Sequence, residues 1–250
     1  MKILSIGNSF SVNAHNYIHR IARRDGNQPI LAWNLYIGGC DLARHFRNYH
    51  TDDEAYVLGV NGIQSGLKIS IKKALLAMDW DYVTLQQASP RSFSYSTYQP
   101  YISVLADAIR ELCPKAKILI HQTWEYEEGS EKLAKVGFER ADDMFREIAG
   151  CYDKAAKEID AVGIIPAGYT MHAMIKKGLS VHKDTFHANS LGEFAIALTW
   201  YQVLTARSVK NIDFSHFDFD AETSPEEIEL AKRLSYEAVT KYGHKVNVAL

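Results

Sequence analysis

The sequence predicts an α/β protein, a three-layer α/β/α sandwich around a central parallel sheet. Short apolar runs rich in Ile, Leu and Val, with few charges among them, recur along the chain, as expected of strands covered on both faces. A helical pattern follows each run, and strand–helix alternation at this spacing calls for right-handed crossovers with helices on both faces. Hydrophobic residues make up 47% of the 250 positions and charged residues 23%, enough apolar mass for a full core in one domain spanning 1–250.

The strands are expected at Lys2–Ile6, Ile30–Ile37, Asp81–Leu85, Lys117–His121 and Val162–Pro166, with helices near Val12–Arg24, Ile69–Met78, Tyr98–Leu112 and Glu139–Ile159. Two segments break the alternation. In 56–70, "YVLGVNGIQSGLKIS", an Asn61-Gly62 pair between apolar runs predicts a small hairpin insertion. The charged, Gly-containing stretch Glu125–Lys135 reads as a surface loop. Toward the C-terminus, Ser190 stands three residues before Glu193 in a capping-box pattern. A last helix, near 225–242, has Ser224 as N-cap, Pro225 at its first position and Glu227 three residues after the cap.

Composition excludes several classes. A formal charge of −2 gives no reason to expect nucleic acid or an anionic membrane as a partner. The three cysteines, Cys40, Cys113 and Cys151, are odd in number and far apart, so they read as reduced thiols and not as a disulfide framework or zinc cluster. No apolar stretch approaches the ~18 residues of a membrane span. The start lacks the basic, apolar and small-residue regions of a secretory signal, so a cytoplasmic location is expected, or a secreted one if a leader has been removed.

Chemistry concentrates in two short stretches. "IGNSFS" places Gly7, Asn8 and Ser9 where the first strand hands over to a helix. Turn chemistry accounts for such residues, since Gly permits unusual backbone angles and Ser or Asn caps helices; the alternative is a hydroxyl nucleophile, and the rest of the chain decides between them. "DTFH" places Asp184 three residues before His187 on a loop entering a helix, and a turn of that length brings the carboxylate to the imidazole. Asp then fixes the tautomer at one ring nitrogen and leaves the other free to take a proton from a hydroxyl. Nucleophile, orienter and base thus occur in the order Ser…Asp…His.

These two blocks, together with "NLYIGGCDLARH", "WDYVTLQQAS" and "ILIHQTWEY", resemble the SGNH (GDSL-type) hydrolases, and in particular a bacterial subfamily known only as a domain of unknown function. The resemblance covers roughly residues 2–205 and implies a flavodoxin-like sheet. It implies Ser9 as nucleophile, His187 as general base and Asp184 as the residue orienting the imidazole. It also implies an oxyanion hole formed by the backbone N–H of Ser9 and that of Gly38 or Gly39, where no Cβ blocks a substrate oxygen. One block departs from the family. Where the superfamily presents an Asn side chain in a G-x-N-D context, this chain has "LQQASPRS". Gln86 or Gln87 can supply an equivalent amide; only one of two consecutive strand residues faces a given side, and Gln87 is the favoured candidate.

His15 and His19 lie four apart on the first helix, but without a third ligand no metal is expected there. His121, Gln122 and Trp124 follow the fourth predicted strand and are candidates to line the pocket, with a hydrogen-bonded core position the alternative for His121. Tyr95, Tyr98, Tyr101, Trp124 and Tyr126 cluster in loops near the proposed site, with Trp124 and Tyr95 the candidates for substrate contact. No phosphate-cradling or dinucleotide-binding glycine motif is present, and no G-x-S-x-G elbow. The expectation is a cofactor-independent serine esterase acting on a small-molecule or carbohydrate ester, an O-acetyl sugar foremost. The rival is a catalytically silent carbohydrate- or peptide-binding module on the same fold, motivated by the Gln-Gln departure. A flavin- or nucleotide-binding domain is disfavoured by the first turn. Oligomeric state is not legible in these residues.

Overall fold

The computed structural model describes residues 1–242; residues 243–250, assigned above to the same domain, lie outside the described residues. Seven strands form one sheet: β1 (Lys2–Gly7), β2 (Leu31–Tyr36), β3 (Tyr56–Val60), β4 (Ile63–Ile69), β5 (Tyr82–Leu85), β6 (Lys117–His121) and β7 (Gly163–Ile165). Their order is β4-β3-β2-β1-β5-β6-β7. From β2 to β7 every pairing is parallel, while β3 pairs antiparallel with both β2 and β4. The predicted hairpin is therefore an extension of the main sheet, and the sheet is mixed at that edge. Asn61 and Gly62 both take the positive φ its tight turn demands.

Nine helices flank the sheet among the described residues: α1 (Ser9–Arg24), α2 (Leu42–Thr51), α3 (Ile71–Leu76), α4 (Tyr101–Leu112), α5 (Glu131–Lys135), α6 (Ala141–Glu158), α7 (Ala167–Lys176), α8 (Ser190–Thr205) and α9 (Pro225–Tyr242). Period-two alternation along the strands divides the core between two layers. Ile3, Ala32, Leu119 and Ile165 face α1, α7, α8 and α9; Leu4, Ile6, Leu35, Val83, Leu85, Ile118 and Ile120 face α2, α3, α4 and α6. No described helix is long and apolar enough to cross a membrane. All three cysteines are free and buried.

Several local expectations are corrected. Helix α1 starts at Ser9, not Val12, because Asn8 caps it: the Asn8 side chain accepts from Phe10 N–H at 3.0 Å, and Ser11 Oγ accepts from Asn8 N–H at 3.1 Å. Asn189, not Ser190, caps α8, its side chain accepting from Gly192 N–H at 3.0 Å. Glu193 instead accepts from the side-chain amides of Asn13 and Asn16, tying α8 to α1. Ser224 and Glu227 do form the reciprocal cap of α9. The stretch Glu125–Lys135 is a surface segment as expected except for the buried Glu125, Tyr126 and Leu133, and it ends in α5. Helices α2 and α7 have no counterpart in the sequence reading.

Candidate active site

Parallel sheets display functional groups at the carboxyl ends of their strands, where the order of connection reverses. Here that point is β1, with β2 on one side and β5 on the other. Beyond it meet the Ser9 turn after β1, the Gly38-Gly39 turn after β2 and the 86–91 segment after β5. Gly7 ends β1 because nothing larger fits: a Cβ there would lie 2.3 Å from Ser11 Oγ and 3.0 Å from Gln86 Oε1.

Ser9 is the first residue of α1, so its N–H lacks an intrahelical acceptor and points out of the helix N-terminus. Its Oγ is 2.8 Å from His187 Nε2. His187 Nδ1 is 2.8 Å from Asp184 Oδ2, and the other oxygen of Asp184 accepts from His187 N–H at 2.9 Å. A carboxylate at Nδ1 fixes the proton there and leaves Nε2 as the acceptor toward Ser9. Burial pushes the Asp184 carboxyl up, but the hydrogen bonds from the His187 ring and backbone outweigh it and hold the group below its ordinary value. The loop that makes this turn is itself fixed. Lys183 N–H donates to His187 O at 2.8 Å, Thr185 takes a positive φ of 75°, and a bridge pairs His182 with Ala188.

A cavity of about 300 Å³ opens on Ser9 and His187. Its wall is largely aromatic, with Phe10, Tyr36, Tyr126 and Phe186, and also includes Gly38, Gly39, Ser89 and Lys132. Gly39 takes a positive φ of 62°, which only a glycine adopts without strain in this turn.

Neither glutamine points an amide into this cavity. Gln87 is fully buried; its Nε2 donates to Thr97 O at 2.9 Å and Thr97 Oγ1 at 3.1 Å, while its Oε1 accepts from Leu42 N–H and Ala88 N–H. The favoured side-chain donor is thus turned into the protein to tie three loops together. Gln86 Nε2 donates to Asn8 Oδ1 at 2.7 Å, and its Oε1 accepts from His121 Nδ1 at 3.1 Å. Asn8 in turn donates through Nδ2 to Cys40 O at 3.1 Å. Asn8 therefore ties the Ser9 turn to the Gly39-Cys40 turn, a role the sequence reading did not assign.

The two expected substrate residues lie elsewhere. Trp124 is fully buried behind the site; its indole N–H donates to Phe186 O at 2.8 Å and its ring packs 4.2 Å from Phe10. Tyr95 stacks on Tyr98, outside the cavity wall. Of the remaining aromatics, Tyr126 lines the cavity, Tyr98 is buried with its hydroxyl on Ser92 O, and Tyr101 packs on Phe46. His121 is fully buried. His15 is also buried, with Nε2 2.9 Å from Ser5 Oγ, and among the described residues no cluster of three or more His, Cys, Asp or Glu could hold a metal.

Against this geometry, the comparisons with known proteins give one family. Residues 2–238 match the model of DUF4886, a domain of unknown function. The chain belongs to the DUF4886 family. A crystal structure of a DUF4886 family protein from Bacteroides uniformis superposes with a TM-score of 0.86 at 29% identity, over 99% of this chain and 97% of that one. A candidate SGNH hydrolase from Slackia heliotrinireducens follows at a TM-score of 0.59 and 24% identity, over 81% and 97% of the two chains. An acetyl xylan esterase matches at 0.54 and 12%, over 82% and 100%. This DUF4886 chain has the fold of the SGNH hydrolases. No curated protein matches the sequence.

Proposed function

We propose that this protein is a serine hydrolase that cleaves a carboxylic ester, an O-acyl group on a carbohydrate foremost. The observation that carries the reading is the continuous hydrogen-bonded chain Ser9–His187–Asp184 at the mouth of a cavity. Ser9 Oγ attacks the ester carbonyl as His187 Nε2 takes its proton; Asp184 holds the ring and stabilises the imidazolium. The oxyanion faces the Ser9 N–H at the helix N-terminus and the Gly38-Gly39 turn, with backbone donors alone. His187 then gives its proton to the departing alcohol, and water resolves the acyl-enzyme by the same route. Cavity size supports a short acyl group, and its aromatic wall suits the apolar face of a sugar. The fold shared with an acetyl xylan esterase agrees with that substrate class.

The test is labelling with a serine-directed fluorophosphonate, alongside turnover of acetyl and longer acyl esters. Ser9→Ala is expected to abolish both labelling and turnover with little change in melting temperature. Asp184→Asn is expected to lower turnover by up to ~10⁴ through the wrong imidazole tautomer. Labelling retained at another serine, or an unlabelled and inactive wild-type chain, would overturn the assignment in favour of a binding module.

A further inference from the structure

One wall of the cavity carries a full charge with no counter-ion among the described residues. Among the residues lining it, Lys132 is the only one with a permanently charged side chain, and none is Asp or Glu. Lys132 belongs to α5, beside the buried Leu133. Its ammonium sits 3.2 Å from the centre of the Phe186 ring, which lies 3.9 Å from the centre of the His187 ring. One aromatic ring thus separates the charge from the catalytic imidazole. Of the acids nearby in sequence, Glu131 pairs with Lys135 at 3.1 Å, Glu128 accepts from Ala141 N–H at 2.7 Å and Glu125 is paired with His172 at 2.7 Å, while Glu127 is exposed and lies outside the cavity wall. No described ion pair involves Lys132.

Hydroxyl donors stand in the same wall. Ser89 Oγ and the Tyr126 hydroxyl are 3.0 Å apart, so one donates to the other. Tyr126 is fully buried, so a substrate oxygen meets only Ser89; with Tyr126 donating to it, the Ser89 hydrogen has no acceptor among the described residues and can turn toward the cavity. An aromatic-backed ammonium beside an unused hydroxyl hydrogen is the donor set that anionic oxygens select, and an acid-free wall would leave a neutral substrate with a lone cation to desolvate.

From this we infer that the ester this site takes carries an anionic group, a carboxylate or similar oxyanion, which pairs with Lys132 and the Ser89 hydroxyl while Ser9 attacks the ester carbonyl. The inference rests on the hydrolase reading above and narrows its substrate class. The anion belongs either to the alcohol part, as in an acetylated uronic acid, or to the acyl part, as in a dicarboxylic half-ester.

Matched substrate pairs separate these sources and test the idea. For the alcohol side, 4-acetoxybenzoate is compared with 4-acetoxybenzamide, and an O-acetylated methyl glucuronoside with the corresponding glucoside. For the acyl side, the phenyl half-ester of adipate is compared with phenyl hexanoate. The readout is the anionic-to-neutral ratio of kcat/KM in the wild type divided by that ratio in Lys132→Gln, so intrinsic reactivity cancels. Loss of a charge-assisted hydrogen bond predicts a quotient of roughly 10 to 100 in at least one pair, retained for the most part by Lys132→Arg. A merely structural Lys132, bracing Phe186, lowers both members of each pair together and gives a quotient near one. That result, or a wild-type preference that survives Lys132→Gln, overturns the inference while fluorophosphonate labelling of Ser9 leaves the hydrolase reading standing. A wild-type chain that takes no label and turns over no ester overturns both.

Discussion

Trp124 holds the carbonyl of Phe186, the residue immediately before His187, through a 2.8 Å hydrogen bond from its indole nitrogen. A side chain fully buried behind the cavity therefore sets where the imidazole stands. Glu127 N–H repeats the arrangement one step along, donating to Thr185 O at 2.8 Å. The segment after β6 is the template on which the Asp184–His187 loop is laid.

Replacing Trp124 with Phe keeps most of the buried ring and removes the donor. The Phe186 carbonyl then loses its partner, at a cost of about 1–3 kcal/mol in stability. Displacement of His187 should lower kcat by roughly 10-fold to 100-fold with little change in KM. Steady-state kinetics on a short acyl ester, with urea melts alongside, check this. Unchanged kcat would mean that the loop holds its geometry without the indole.

Asn8 is the second positioning residue. It caps α1 and, through Nδ2, ties that helix start to Cys40 O beside Gly39. Asn8→Ser retains a capping hydroxyl but is too short to reach Cys40. Because the buried Gln86 amide and Cys40 carbonyl lose their partner, stability should fall by about 1–3 kcal/mol, while kcat falls roughly 10-fold or more as the backbone donors separate. Equal kinetics for Asn8→Ser and wild type would reduce Asn8 to a plain cap.

For Gln87 the structure predicts the opposite pattern. Its amide binds Thr97, Leu42 and Ala88, all within the protein. Gln87→Ala should cost about 1–3 kcal/mol or more by stranding buried N–H groups, yet leave kcat of the folded fraction within a few-fold. A loss of kcat near 10²–10³ without loss of stability would instead mark it as an oxyanion donor.

Acid should unfold this protein through buried histidines. His15, His45 and His121 are fully buried and each is lowered to about 3, chiefly by burial; His19 adds to this for His15, His15 adds to it for His121, and for His45 a nearby Arg44 adds while Asp41 opposes. In the unfolded chain they protonate near the ordinary value of about 6.5. Between those limits the unfolded state binds more protons, so stability falls as pH drops from about 6.5 toward 3. Three such groups give a slope of up to ~4 kcal/mol per pH unit. Urea melts between pH 7 and pH 5 measure it, and His45→Gln should remove one proton from the count. A flat profile over that range would contradict the burial of neutral imidazoles.

Taken by itself, the sequence determined the layered α/β architecture, the Ser9 turn and the Asp184–His187 turn, while the meeting of Ser9 with His187 belongs to the fold. The first three are local signals: apolar runs of strand length, a Gly-Asn-Ser turn, and an Asp three residues before a His. The hairpin at Asn61-Gly62 and the Ser224 cap are legible for the same reason, since each motif closes on itself within a few residues. What only the tertiary structure decided are contacts between segments distant in the chain. Two consecutive glutamines look alike in sequence; the loops from α2 and the Tyr95–Thr97 turn claim Gln87, while Asn8 and His121 claim Gln86. Trp124 reads as a ring for a sugar until the 186 carbonyl takes its N–H and Phe10 covers its face. Ser190 reads as a cap until Asn189 takes the role and Glu193 is drawn to Asn13 and Asn16 on α1. A polar side chain with several acceptors or donors in reach is placed by whichever partner the fold brings close, and that choice is made in three dimensions.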